Sequence, residues 1–115
     1  MCNFENVNIV NLTPHDVNIV DSNGNIIKTF KKSGDVARCV EEASLVGTIN
    51  GIDYFDVHFG EIEELPPEEK GTFYIVSAIV KRTGDDIGRL DLLVPYNTYR
   101  DENGNIIGCR AFSYL

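Results

Sequence analysis

Two histidines are the first residues to weigh for chemistry, since theirs is the side chain that titrates near neutral pH without special help. His15 lies in "NLTPHD", directly after Pro14, with Thr13 and Asp16 as polar neighbours. A ring there can contact a ligand phosphate, act as a general base, or pin a turn that the proline has already stiffened. His58 lies in "DVHFGE", with Glu61 three positions on. On a strand those two point to opposite faces unless Gly60 makes a bulge, so the spacing does not ask for a metal. Cys2, Cys39 and Cys109 are far apart and form no CxxC pair, which reads as reduced thiols in or near the core. No nucleophile elbow or phosphate loop is present. No catalytic residue, metal ligand or cofactor is assigned.

Charge narrows the partners. The chain has five arginines (Arg38, Arg82, Arg89, Arg100, Arg110) yet a net charge of −8. That excess opposes generic binding to nucleic acid or to an anionic membrane. It still leaves room for one small anionic ligand, gripped by two or three guanidiniums and backbone N–H groups. Tyr96 and Tyr99, read as lying on a turn beside Arg100, suit stacking on a base. Phe55, Phe59, Phe73, Tyr74 and Phe112 sit at strand positions and read as core.

The elements that must position these groups are short and β-prone. With 115 residues, 43% hydrophobic and 24% charged, the chain reads as one globular domain, 1–115. "VNIVNL", "DVNIVD" and "IIKTF" alternate as strands do, and "SNGN" between the last two marks a hairpin whose central residues need positive φ. "SLVGTIN" and "IDYFDVHF" flank Asn50-Gly51 in a second hairpin of the same chemistry. "EIEELPPEE", 61–69, reads as an exposed acidic connection, with a short strand at 61–63 before it. "TFYIV" reads as a buried strand and "SAIVKRTG" as a helix near 77–83, capped by Ser77 and ended by Gly84. "RLDLLVP" and "IIGCRAFSYL" supply the last strands. The expected fold is mainly β (β-rich α+β as the alternative): short antiparallel strands, Asn-Gly hairpins and one short helix. No basic leader or apolar span is evident, so a cytoplasmic location is expected.

"DSNGNII" and "DENGNII" share six of seven letters. A calcium loop wants its glycine sixth and a glutamate twelfth, and neither copy complies. An Asx start, an Asn-Gly turn and a β-branched exit are what two separate hairpins select. If the two terminal hairpins share a sheet, His15 and Arg110 could border one mouth.

The chain as a whole resembles a family of small, poorly characterised proteins of bacteria and their phages. The resemblance is carried by "NLTPH", "SGDVAR", "GTINGI", "FGEIEELP", "GTFYIVSAIV", "RLDLLVP" and "RDENGNIIGCRAF", in that order over nearly the full length. "VPYNTY" departs from the family's glycine- or aspartate-rich segment, which weakens any site role for Tyr96 or Tyr99. The polar residues inside the shared motifs are Thr13, His15, Arg38, Glu61, Ser77, Arg89, Asp91 and Arg110, and these are the candidate ligand-binding set. The phage association implies an accessory protein that acts against host defence. The expectation is a homo-oligomer that captures a nucleotide-derived signal, such as a cyclic ADP-ribose or cyclic dinucleotide. The alternatives are hydrolysis of such a nucleotide through His15 or His58, or inhibition of a host protein by the acidic surface.

Overall fold

The structure, a computed structural model, describes residues 4–114; Cys2 lies outside them. In chain order the elements are β1 (Asn8–Asn11), β2 (Val17–Val20), β3 (Ile26–Phe30), β4 (Arg38–Ile49), β5 (Ile52–Glu63), β6 (Thr72–Ile75), α1 (Ala78–Asp86), β7 (Leu92–Arg100) and β8 (Ile106–Ser113). Six strands form one sheet in the order β1-β6-β7-β8-β2-β3. Its two edges meet: Lys32, just past β3, bridges Asn11, and the Ser33 N–H donates to the Asn11 carbonyl at 3.1 Å. The sheet therefore curls on itself toward a barrel.

The mainly β architecture and its one short helix match the expectation, while the pairing is richer. Hairpins β2–β3 and β7–β8 are antiparallel, but β1–β6, β6–β7 and β2–β8 run parallel. Parallel neighbours need long connections, and β6–α1–β7 is a strand–helix–strand crossover of that kind. Alternation along "TFYIV" sorts the core into two layers. Ile75 faces inward with Val17 and Cys109, joined by Ile9, Ile19, Phe30 and Phe112. Tyr74 and Val76 face outward, where Leu12, Ala37, Val80 and Leu92 cover them.

Helix α1 continues past its expected end. Gly84 lies inside it because the helix presses on Leu92, whose side chain a Cβ there would strike. The stop comes at Gly88, φ +83°. The Gly88 N–H donates to the Asp85 carbonyl and the Arg89 N–H to the Gly84 carbonyl, a Schellman closure. Among the described residues, no helix is long and apolar enough to cross a membrane.

The two "D-x-N-G-N" segments fold identically, and each uses one positive φ rather than two. Gly24 and Gly104 have φ of +84° and +81°. Asp21 Oδ1 accepts the N–H groups of Asn23 and Asn25, and Asp101 Oδ1 those of Asn103 and Asn105, all at 2.9 Å. The carboxylate stitches the loop from inside, so the asparagine before the glycine keeps ordinary geometry. Asn50-Gly51 is the two-residue turn with both φ positive, +51° and +79°.

That turn joins β4 to β5, a pair that forms its own two-stranded sheet. At 12 residues each these strands are about 40 Å long at 3.3 Å per residue. Residues 61–63 belong to β5 rather than to a separate strand. Only the base of this arm meets the outer core layer, through Cys39 and Ile62. Phe55 and Phe59, expected in the core, are 52% and 46% exposed because the arm runs past the body. Tyr96 and Tyr99 are on β7, not on a turn.

Candidate functional site

Three of the eight candidate residues converge where β1, β4 and α1 meet. Thr13, Arg38 and Ser77 line a cavity of about 370 Å³, with Pro14, Val36, Ile79 and Phe59 among its other walls. Ser77 is the N-cap: with φ −69° and ψ 161° it stays extended, and its Oγ accepts the Val80 N–H at 3.3 Å. The N–H groups of Ala78 and Ile79 in the same first turn have no helical partner. The first turn carries no acidic side chain to neutralise the positive end of the helix. Arg38 is exposed beside it, paired across the ladder with Glu63, and its side chain has no ion pair or hydrogen bond among the described residues. Phe59 adds a half-exposed aromatic ring from the arm. A cation, unsatisfied amide donors and a ring around one opening suit an anion attached to a planar group.

Thr13 takes a structural part in this wall. Its hydroxyl lies 2.7 Å from Asn11 Oδ1 and 2.9 Å from the His15 carbonyl. Asn11, absent from the candidate set, organises the whole "NLTPH" segment from a nearly sealed position, 2% exposed. Its Nδ2 donates to the carbonyls of His15 and Phe30 at 2.8 and 2.9 Å, and its Oδ1 accepts the Thr13 N–H at 2.9 Å. An asparagine two residues before Thr-Pro is a turn signal in sequence, but its reach to β3 is tertiary and was not legible.

The other candidates stand elsewhere. The His15 ring is exposed and borders a second cavity with Asn18, Pro95, Thr98 and Cys109. β2 and β8 do share a sheet, with Ile19 opposite Cys109. That register sets His15 and Arg110 five residues out of step, about 17 Å at 3.3 Å per residue, so they border no common mouth. Arg110 instead lends attraction to Asp21. The Asp21 carboxyl is held below its ordinary value, first by the Asn25 N–H, against desolvation, with Asn23 and the Asn25 side chain adding to the lowering.

Glu61 and Arg89 line a further opening beside α1. Arg89 is committed to Asp91: Nε donates to Oδ1 at 2.9 Å and Nη2 to Oδ2 at 2.8 Å. Glu68 of the acidic connection approaches the same guanidinium at 3.6 Å. The Asp91 bond raises the already high arginine pKa further, against partial burial. Burial likewise pushes the Tyr74 phenol up, helped by Glu69 and Asp91. His58 contacts Asp56 at 3.1 Å on the arm.

A larger cavity, about 930 Å³, is walled by Phe4, Val7, Ile9, Phe73, Leu90, Leu93 and Tyr114 with Glu5. It offers apolar surface and one carboxylate, which does not suit an anion, so the smaller Arg38 cavity is the better match to the chemistry sought. Comparison of the chain with protein-family models, curated proteins and solved structures found no match.

Proposed function

We propose that the protein binds a small nucleotide-derived anion in the Arg38 cavity and holds it without altering it, as a phage-type accessory protein that sequesters a defence signal would. The observation that carries this reading is the convergence of Arg38, the open N-terminal turn of α1 and the Phe59 ring on one cavity. Its volume of about 370 Å³ lies in the range of small-molecule sites. Phosphate oxygens would accept from the Arg38 guanidinium and the Ala78 and Ile79 N–H groups, and the base would lie on Phe59. The phage and defence context rests on the family resemblance of the sequence.

A hydrolytic reading draws less support. His15 borders a different cavity, and His58 is engaged with Asp56. Calorimetric titration with ADP-ribose, a cyclic ADP-ribose and a cyclic dinucleotide tests the proposal, with mass analysis of ligand recovered after heat denaturation. Saturable binding of one of these, its intact recovery, and a tenfold to hundredfold loss in Arg38→Ala are expected, since a charge-assisted hydrogen bond contributes about 1.5–3 kcal/mol. Binding unaffected by Arg38→Ala overturns the site, and recovery of an altered nucleotide overturns sequestration.

A further inference from the structure

The β4–β5 arm is amphipathic in a way the monomer does not use. Cross-strand partners share a face, so the register divides the arm. One face carries the pairs Glu41–Phe59, Ala43–Val57 and Leu45–Phe55; the other carries Glu42–His58 and Ser44–Asp56. The first face is an uninterrupted apolar stripe from Phe59 to Leu45, and all five of its apolar side chains are exposed. It continues the Cys39–Ile62 pair that packs on the outer core, so it is the core side of the ribbon carried beyond the body. The bulge at 45–47 then shifts the pattern, leaving Val46, Tyr54, Ile49 and Ile52 exposed toward the tip. A two-stranded ribbon alone in water is marginal at best.

The geometry points to a second copy of this chain as the occupant, the two arms crossing face to face about a two-fold axis at the Ala43–Val57 pair. Three observations favour self-association. The stripe is self-complementary about that axis, because the small centre of Ala43 and Val57 has a phenylalanine on either side. A two-fold there sets Phe55 of one copy against Phe59 of the other, and two ribbons packed like stacked sheets lie about 10 Å apart. The area also fits. Aromatic side chains bury about 150–250 Å² when covered, so Phe55 and Phe59 at about half exposure each have on the order of 100 Å² open. With Ala43, Leu45 and Val57 on the same face, the apolar contact is about half of the roughly 800 Å² per partner of a standard interface, enough for a dimer that forms at micromolar concentration. Finally, two chains of −8 repel, and the stripe between Glu41 and Asp53 is a stretch where they can meet without opposing carboxylates. The same two-fold brings the turn at the tip of one arm level with the base of the partner's arm, where Arg38 and Phe59 line their opening. This inference stands on the arm alone and does not depend on what the cavity binds.

Sedimentation of the purified full chain at tens of micromolar tests it, with Phe55→Glu on the stripe and Ser44→Lys on the opposite face. Dimeric wild type, dimeric Ser44→Lys and monomeric Phe55→Glu are expected. Circular dichroism and a cooperative thermal transition show whether the glutamate variant keeps the folded body. A monomeric wild type overturns the proposal outright. A dimer that survives Phe55→Glu, or is lost in Ser44→Lys, places the interface elsewhere and overturns this one. If Phe55→Glu fails to fold, Leu45→Lys, which sits opposite Phe55 on the same face, is read by the same rule.

Discussion

Replacing Asn11 by alanine separates what the "NLTPH" segment does for folding from what it offers a ligand. The side chain is 2% exposed and joins four groups: the Thr13 N–H and hydroxyl through Oδ1, and the His15 and Phe30 carbonyls through Nδ2. Each such bond contributes about 1 kcal/mol net, and a buried partner left unsatisfied costs about 1–3 kcal/mol. The Thr13 hydroxyl can turn back to the His15 carbonyl, 2.9 Å away, which satisfies two of the four. The Phe30 carbonyl and Thr13 N–H remain, so the loss should be about 3 kcal/mol. At roughly 4 °C per kcal/mol for a domain of this size, Tm falls by on the order of 12 °C. His15→Ala is the counterpart. Its main-chain carbonyl holds the turn while its ring is exposed and bonded to nothing among the described residues, so stability should change by less than about 0.5 kcal/mol. Urea denaturation followed by circular dichroism measures both. An Asn11→Ala loss below about 1 kcal/mol, or a His15→Ala loss above about 2 kcal/mol, would falsify the assignment of the fold-holding role to Asn11.

Glycine spacing supplies a second contrast. A Cβ on Gly108 would lie 2.7 Å from the Asn18 carbonyl oxygen and 2.8 Å from Val20 Cγ1, whereas one on Gly47 meets only the Tyr54 ring at 3.5 Å. Gly108→Ala should therefore cost about 1–3 kcal/mol by overpacking, and Gly47→Ala should be neutral or slightly stabilising; equal thermal shifts for the two count against it. Asp91→Ala strands the Arg89 guanidinium, 11% exposed, with Glu68 at 3.6 Å, and a loss of about 3 kcal/mol is expected. The double variant Arg89→Met with Asp91→Leu should lose less than Asp91→Ala alone, and chemical denaturation that ranks them the other way refutes this account of the pair. The lowered Asp21 pKa means a carboxylate favoured by the fold, so its contribution is present above the unfolded-state pKa and is lost as pH falls through the folded one. A carboxyl NMR titration should find its midpoint below the ordinary value of about 3.9; a midpoint at or above that value contradicts the turn geometry.

Local chemistry was readable in the sequence wherever it was sufficient. Asn-Gly turns, the Ser77 cap and the buried "TFYIV" strand depend on neighbours within a few positions, and they stand where their residues say. Gly84 misled because glycine marks both helix ends and close approaches, and the deciding neighbour, Leu92, comes from the next strand. The parallel ladders were not legible, since nothing between Asn11 and Thr72 announces that β1 and β6 will lie side by side. Phe55 and Phe59 show a sharper limit. Their strand positions read as core, but the strands that carry them extend beyond the body, and nothing local in the sequence says so. The cavity is similar: Thr13, Arg38 and Ser77 are ordinary polar residues until three elements bring them together.

Among the eight candidate residues, the fold itself engages several. Arg89 and Asp91 satisfy each other, Ser77 caps α1, and the Thr13 hydroxyl closes the Asn11 turn. Arg38 is left with an unengaged charge at a cavity, and Phe59 belongs both to that cavity and to the arm's apolar stripe. This overlap makes the two proposals thermodynamically linked if both hold. A partner arm that narrows the opening can raise ligand affinity, and then the ligand must tighten the dimer by the same factor. Sedimentation at concentrations near the dimer's dissociation constant, with and without a saturating nucleotide that titrates to Arg38, reads that factor directly. A coupling of 1–3 kcal/mol, on the order of fivefold to a hundredfold, is the usual size of such linkage. An unchanged dimer constant means that the arm closes on its twin without reaching the cavity, and Phe59 then serves the two surfaces independently.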